Sequence, residues 1–212
     1  MQLVNERAKQ SVDGISAAIT IAAWWRKFQN PTNSGLSDEA SPIALIGGML
    51  MNFFEKQVYL LVEDNESDVL LMKEAFFKAD IPNPLQIVDG GDKAIAYLSG
   101  VAPYNDRLAH PLPFVLLLDF KLPGKDGFEV LDWVRRQPTL KRLVVIMLTS
   151  SNRGADADRA YDLGANYYLT KPGLFADLVK SMKCLHVWLR LCHFPTLVET
   201  GDPDQEHLLL TP

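Results

Sequence analysis

Phe114-Val115-Leu116-Leu117-Leu118-Asp119 is a run of five apolar residues closed by a carboxylate. A run this short, with no polar residue interrupting it, suits a strand covered on both faces, as in a parallel sheet. Three other apolar runs end in the same way. Residues 58–62 lead into Glu63-Asp64, residues 143–148 into Thr149, and residues 167–170 into Lys171. A parallel sheet gathers the C-terminal ends of its strands along one edge, so residues far apart in sequence can meet in one crevice.

The segments between these runs carry helical period, and the alternation from Gln57 onward is that of βα units. A first helix starts near Ser67, with Val69, Met72 and Phe76 recurring at spacings of three and four. Ile81-Pro82-Asn83-Pro84 stops it, and residues 85–88 make a short second strand. A second helix over 92–98 ends at Ser99-Gly100. Residues 101–113 hold three prolines and no periodicity, which predicts a long exposed loop. After Asp119, Leu122-Pro123-Gly124-Lys125-Asp126-Gly127 is rich in turn residues. Phe128, Leu131 and Val134 then give a third helix its buried stripe before Pro138. A fourth helix falls near 155–163 with Gly164 as its C-cap. A fifth begins near Leu174, with Phe175, Leu178, Met182, Leu185 and Leu189 facing inward. Five such units make an α/β, doubly wound parallel sheet over residues 57–192.

Outside that core, residues 1–56 read as an N-terminal extension with a linker rich in Asn, Ser, Pro and Gly at 30–42. Residues 193–212 read as a polar, flexible tail. Residues 15–25, after Arg7 and Lys9, faintly resemble a signal-peptide core, but Arg26-Lys27 follows without a small-residue cleavage site. An amphipathic helix, or a translation start at Met49 or Met51, accounts for the same stretch. With 212 residues, 48% of them apolar, the composition is that of a globular protein. No apolar run reaches the roughly 20 residues of a membrane span. A net charge of −5 gives no electrostatic reason for nucleic-acid binding. Residues 1–56 are neutral, so the acidic excess lies in the part that carries the strand ends. Two cysteines, Cys184 and Cys192, are too few for a disulfide framework and suit reduced thiols in the cytoplasm.

Three carboxylates at one sheet edge repel one another. At about 4 Å each pair costs on the order of 4 kcal/mol at an effective dielectric of 20. Such a cluster calls for cations. Lys171 supplies one charge, and an oxygen-only donor set without His or Cys suits Mg²⁺ or Mn²⁺ rather than zinc. Taken alone, Glu63-Asp64-Asn65 equally suits a helix N-terminus, where acidic residues are favoured. Beside Asp119, Thr149 and Lys171 it reads as part of a site.

Residues 57 to about 190 resemble a response-regulator receiver domain, the phosphorylatable half of two-component signalling. The resemblance is carried by Leu61-Val62-Glu63-Asp64-Asn65, by Leu117-Leu118-Asp119 with its following Leu122–Gly127 loop, by Met147-Leu148-Thr149-Ser150, and by Tyr168-Leu169-Thr170-Lys171-Pro172. The intervals of 30 residues from Asp119 to Thr149 and 22 from Thr149 to Lys171 are those usual in that family. The Glu-Asp-Asn start and the long 101–113 loop look like small receiver-only regulators paired with phytochrome-type kinases.

The resemblance implies a flavodoxin-like strand order 2-1-3-4-5 and a role for each matched position. Asp119 would accept a phosphoryl group from a phosphohistidine of a sensor histidine kinase. Glu63, Asp64, Asp119 and the backbone carbonyl of Lys121 would hold Mg²⁺. Thr149 and Lys171 would bind the phosphoryl oxygens, Tyr168 would swing inward as Thr149 moves, and Lys171-Pro172 would be a cis peptide. The face of the fourth helix, fifth strand and fifth helix would serve as a docking or homodimer surface. Such a protein is a cytoplasmic switch rather than an enzyme. A phosphatase that forms an aspartyl-phosphate would need a second Asp two positions after the nucleophile, where this chain has Lys121. A flavin-binding domain would need a hydroxyl- and glycine-rich loop after strand one, where Glu63-Asp64-Asn65-Glu66 would repel phosphate. A receiver fold acting without phosphorylation would not need the complete set of site residues. His110, His186, His193 and His207 read as structural or surface residues.

Overall fold

In the computed structural model, residues 54–150, 153–192 and 194 are described. The linker, the signal-like stretch and the alternative starts at Met49 and Met51 lie outside the described residues, as does the tail beyond Phe194. The elements are β1 (Tyr59–Val62), α1 (Glu66–Lys78), β2 (Leu85–Val88), α2 (Gly91–Ser99), β3 (Val115–Asp119), α3 (Gly127–Arg136), β4 (Val144–Thr149), α4 (Gly154–Asp162), β5 (Tyr167–Thr170) and α5 (Phe175–Leu189). The strands form one sheet in the order β2-β1-β3-β4-β5, with every pair parallel.

Successive strand residues point to opposite faces, and here both faces are buried. Leu60, Val62, Leu116, Leu118, Val145 and Met147 pack with Tyr97, Phe128, Leu131 and Val134 from α2 and α3. Tyr59, Leu61, Val115, Leu117, Ile146 and Leu148 pack with Met72, Phe76, Leu178 and Met182 from α1 and α5. That double cover is why β1, β3 and β4 are apolar without interruption. On the edge, β5 leaves Tyr167 exposed, stacked edge-on against Trp188 with ring centroids 5.0 Å apart. Cys184 and Cys192 are both free thiols.

Four details depart from the sequence reading. The domain takes in Phe54, three residues before the expected boundary at Gln57. Its ring packs 5.4 Å from Phe114 and 6.5 Å from Phe194, at the bottom of the sheet. Phe175 lies on the apolar stripe of α5 yet is exposed. It sits on the first turn, by the C-terminal end of the sheet, where the stripe has no strand left to cover. The 101–113 loop is anchored rather than merely exposed: Arg107 donates to the carbonyls of Tyr97, Leu98 and His110 at 2.7, 2.9 and 3.2 Å. A guanidinium thus satisfies the last carbonyls of α2. Gly164 has φ 91° but stands one residue beyond the C-cap Leu163. Arg135 donates to its carbonyl at 2.8 Å and to Asn166 Oδ1 at 3.0 Å, tying the end of α3 to the α4–β5 turn.

His186 completes the buried stripe of α5. Its Nδ1 lies 3.4 Å from the Tyr59 hydroxyl and its ring 5.5 Å from Phe54. Burial disfavours the imidazolium and holds its pKa below the ordinary value; Arg190 adds to this and Glu55 opposes it. An unfolded chain takes up this proton near pH 6.5, before the folded one does. The stability contributed by a neutral His186 is therefore fully present above pH 6.5 and is lost as pH falls through the folded pKa. Urea denaturation at pH 7.5 and 5.5 checks this: His186→Phe should lose less stability on acidification than the wild type. An equal loss in both would disprove it.

Candidate functional site

Glu63 follows β1 directly, with its backbone amide bound to the Val88 carbonyl at 3.0 Å, so the β1–β2 ladder fixes its position. Its side chain is only 3% exposed. Asp64 is exposed, and Asn65 caps α1 by accepting from the amides of Ser67 and Asp68 at 2.9 and 3.2 Å. The helix-cap and site readings of Glu63-Asp64-Asn65 are thus both realised, by different residues. Asp119 ends β3 and is buried. Its Oδ2 accepts from the Lys121 amide at 3.0 Å, which orients the carboxylate. Gly127 passes so close behind that a Cβ there would run into the Asp119 backbone carbonyl. The glycine of the turn-rich loop is therefore a requirement of close backbone approach.

One carboxylate oxygen from each of Glu63, Asp64 and Asp119 lies within 4.8 Å of the others. Lys171 enters from the end of β5, where its amide donates to the Thr149 carbonyl at 2.6 Å and continues the β4–β5 ladder. Its ammonium lies 2.5 Å from Glu63 Oε2, 2.8 Å from Asp68 Oδ2 and 3.0 Å from Asp119 Oδ1. The ends of β1, β3, β4 and β5 do converge. Thr149 closes β4 beside them, fully buried, in register with Thr170.

Glu63, Asp64, Asp68 and Asp119 carry four negative charges, and Lys171 returns one. Burial pushes the Glu63 carboxyl up, and the hydrogen bond and charge of Lys171 only partly offset this. Burial by itself would lower Lys171, but hydrogen bonds to Asp68, Glu63 and Asp119 hold it well above the usual lysine range. Three carboxylate oxygens close together, no His or Cys among them, and an uncompensated negative charge make a donor set that fits a hard divalent cation.

Two further expectations meet the structure here. The Lys171-Pro172 bond is trans; among the described residues the cis X-Pro bond is Ala102-Pro103. Lys171 needs no such turn to aim it, because its amide is already held in the sheet and its side chain reaches the carboxylates from there. Tyr168, paired with Met147 across β4 and β5, is half-buried against the core. Its hydroxyl is buried and has no hydrogen-bond partner among the described residues. The residue that sequence reasoning missed is Asp68. On its own it is one of several acids in the first turn of a helix, where such residues are common. Only its place in the first turn of α1, just after the Glu63-Asp64 pair, could have hinted that it lies near the site.

Residues 59–183 match the model of the response regulator receiver domain family. The chain is 35% identical over 161 residues to the response regulator Rcp1 of Synechocystis, covering 76% of this chain and 99% of the relative. Among solved structures it is similar to the phosphorylated cyanobacterial phytochrome response regulator RcpA, with 35% identity and a TM-score of 0.61 over 66% of this chain and 99% of that one. It is similar also to the Mn²⁺-bound form of Rcp1, with 37% identity and a TM-score of 0.60 at the same coverage.

Proposed function

Because the chain belongs to the response-regulator receiver family, the phosphoacceptor domains of two-component signalling, we propose that Asp119 is the residue that takes the phosphoryl group. The observation that carries this reading is the convergence on Asp119 of Glu63, Asp64 and Lys171 within one over-acidic cup. One Asp119 carboxylate oxygen forms a bond to phosphorus as the P–N bond of a phosphohistidine breaks. The imidazole leaves with the electron pair and takes up a proton. The Lys121 amide, donating to Asp119 Oδ2, would keep the carboxylate turned for this attack, and the Lys171 ammonium and Thr149 hydroxyl would donate to phosphoryl oxygens. Asp64, Asp119 and the Lys121 carbonyl would hold Mg²⁺, with Glu63 acting through water. Bound there, the ion supplies positive charge against the oxygens of the transferring group, the main demand of phosphoryl transfer.

Such a protein acts as a switch rather than a catalyst with turnover. Rearrangement around Thr149 and Tyr168 would reach the adjacent surface of α4, β5 and α5. That surface exposes Tyr161, Tyr167, Val187 and Trp188, which suits protein–protein contact, including a homodimer. The similarity to phytochrome response regulators points to a phytochrome-type histidine kinase as the donor. No helix among the described residues is long and apolar enough to cross a membrane, and a cytoplasmic site of action goes with a kinase donor of this class. Residues 54–194 would form the receiver unit, and residues 1–53 would be dispensable for phosphorylation.

Intact-mass measurement after addition of acetyl phosphate tests the assignment. One phosphoryl group should be gained with Mg²⁺ present and none with a chelator. Uptake that ignores the metal would refute the proposed metal role, and no uptake under either condition would refute the phosphoacceptor role.

A further inference from the structure

Lys171 has three N–H donors, and three carboxylates surround its ammonium: Glu63, Asp68 and Asp119. A phosphoryl oxygen can be received only if one of these contacts is given up. The side chains of Glu63 and Asp119 are 3% and 8% exposed, whereas that of Asp68 is 36% exposed. Releasing a buried carboxylate strands a charge without solvent, but releasing Asp68 lets water take the place of the lysine. Asp68 is therefore the exchangeable partner. It is also rigidly presented, since its own amide is held by the Asn65 cap.

We propose that Asp68 is a positioning residue that competes with the phosphoryl group for Lys171 and so limits how fast Asp119 is phosphorylated. The inference rests on Asp119 being the phosphoacceptor and adds a restraint on that same site. Removing the Asp68 charge frees the ammonium to meet the incoming phosphoryl oxygens earlier, while Glu63 and Asp119 still keep it in the cup.

The test compares initial rates of mass gain with acetyl phosphate, at Mg²⁺ saturating for each variant. The variants are Asp68→Asn, Asp68→Glu and Glu66→Gln; Glu66 is an exposed acid on the same turn. Asp68→Asn should be faster than wild type by about two- to fivefold, the range set by losing a partly exposed ion pair. Asp68→Glu, which restores the charge, should return towards the wild-type rate, and Glu66→Gln should leave it unchanged. An Asp68→Asn rate at or below wild type would overturn the proposal. So would an equal gain in Glu66→Gln, which would mean only that a nearby negative charge repels the donor. Wild type that takes up nothing, or takes it up equally in Asp119→Asn, would remove the phosphoacceptor reading itself. Uptake at Asp119 that is indifferent to residue 68 would remove only the role of Asp68.

Discussion

Asp119→Asn should take up no phosphoryl group from acetyl phosphate, yet should fold and be at least as stable as wild type in Mg²⁺-free buffer. The first half follows from replacing a nucleophilic carboxylate by an amide. The second follows from magnitudes. Asp119 lies within 4.8 Å of both Glu63 and Asp64 and 3.0 Å from the Lys171 ammonium. At an effective dielectric of 20, each repulsion at that separation is about 3.5 kcal/mol and the attraction about 5.5 kcal/mol. Two repulsions slightly outweigh one attraction, so neutralising Asp119 leaves a small gain. The substitution also removes one of the proposed metal ligands. Saturating Mg²⁺ at a hundred times its dissociation constant should stabilise wild type by about 2.7 kcal/mol, and the variant far less. Thermal melts with and without Mg²⁺, read beside intact mass, check all three statements. A variant that is unfolded, or that still gains phosphoryl mass, would show that Asp119 has been misassigned.

Lys171→Met, by contrast, should lose stability, about 3 kcal/mol in metal-free buffer at pH 7.5. Removing one partner of a buried ion pair typically costs 3–5 kcal/mol because the other charge is left without compensation. Here the stranded groups are Glu63 and Asp119, both buried, and the lower end of the range applies because the lysine itself is 17% exposed. Lys171 is held above the usual lysine range by its three carboxylates, against the effect of burial. A raised folded pKa means that its contribution is fully present below the unfolded lysine value and fades only at strongly alkaline pH. Wild type keeps this contribution throughout the neutral range. In the variant, Glu63 loses the Lys171 charge and hydrogen bond that offset its burial, so its carboxyl rises further. The deficit should then shrink as pH falls and Glu63 takes up a proton, and shrink again when Mg²⁺ is added at neutral pH. Urea denaturation across pH, with and without Mg²⁺, measures it. A deficit below about 1 kcal/mol would place Lys171 among ordinary exposed ion pairs and deny the cup its need for a cation.

Most of this architecture was legible before any coordinates. Apolar runs of five or six residues closed by Glu63-Asp64, Asp119 and Thr149 specify strands covered on both faces, the shorter run before Lys171 suits an edge strand, and together they put four chemical groups at the C-terminal ends. The strand pairing then had to bring those ends together, because parallel strands share one direction. Tertiary structure decided the contacts whose partners lie on different elements and leave no local period. Asp68 joins Lys171 across 103 residues of chain. Phe54, Phe114 and His186 meet beneath the sheet, Arg107 closes the end of α2, and Phe175 finds no layer to bury against although it lies on the right stripe of α5. Periodicity tells a residue which face it occupies, since that is a property of the backbone. Which side chain it meets there depends on how helices of different lengths settle on the sheet, and only the packed molecule sets that.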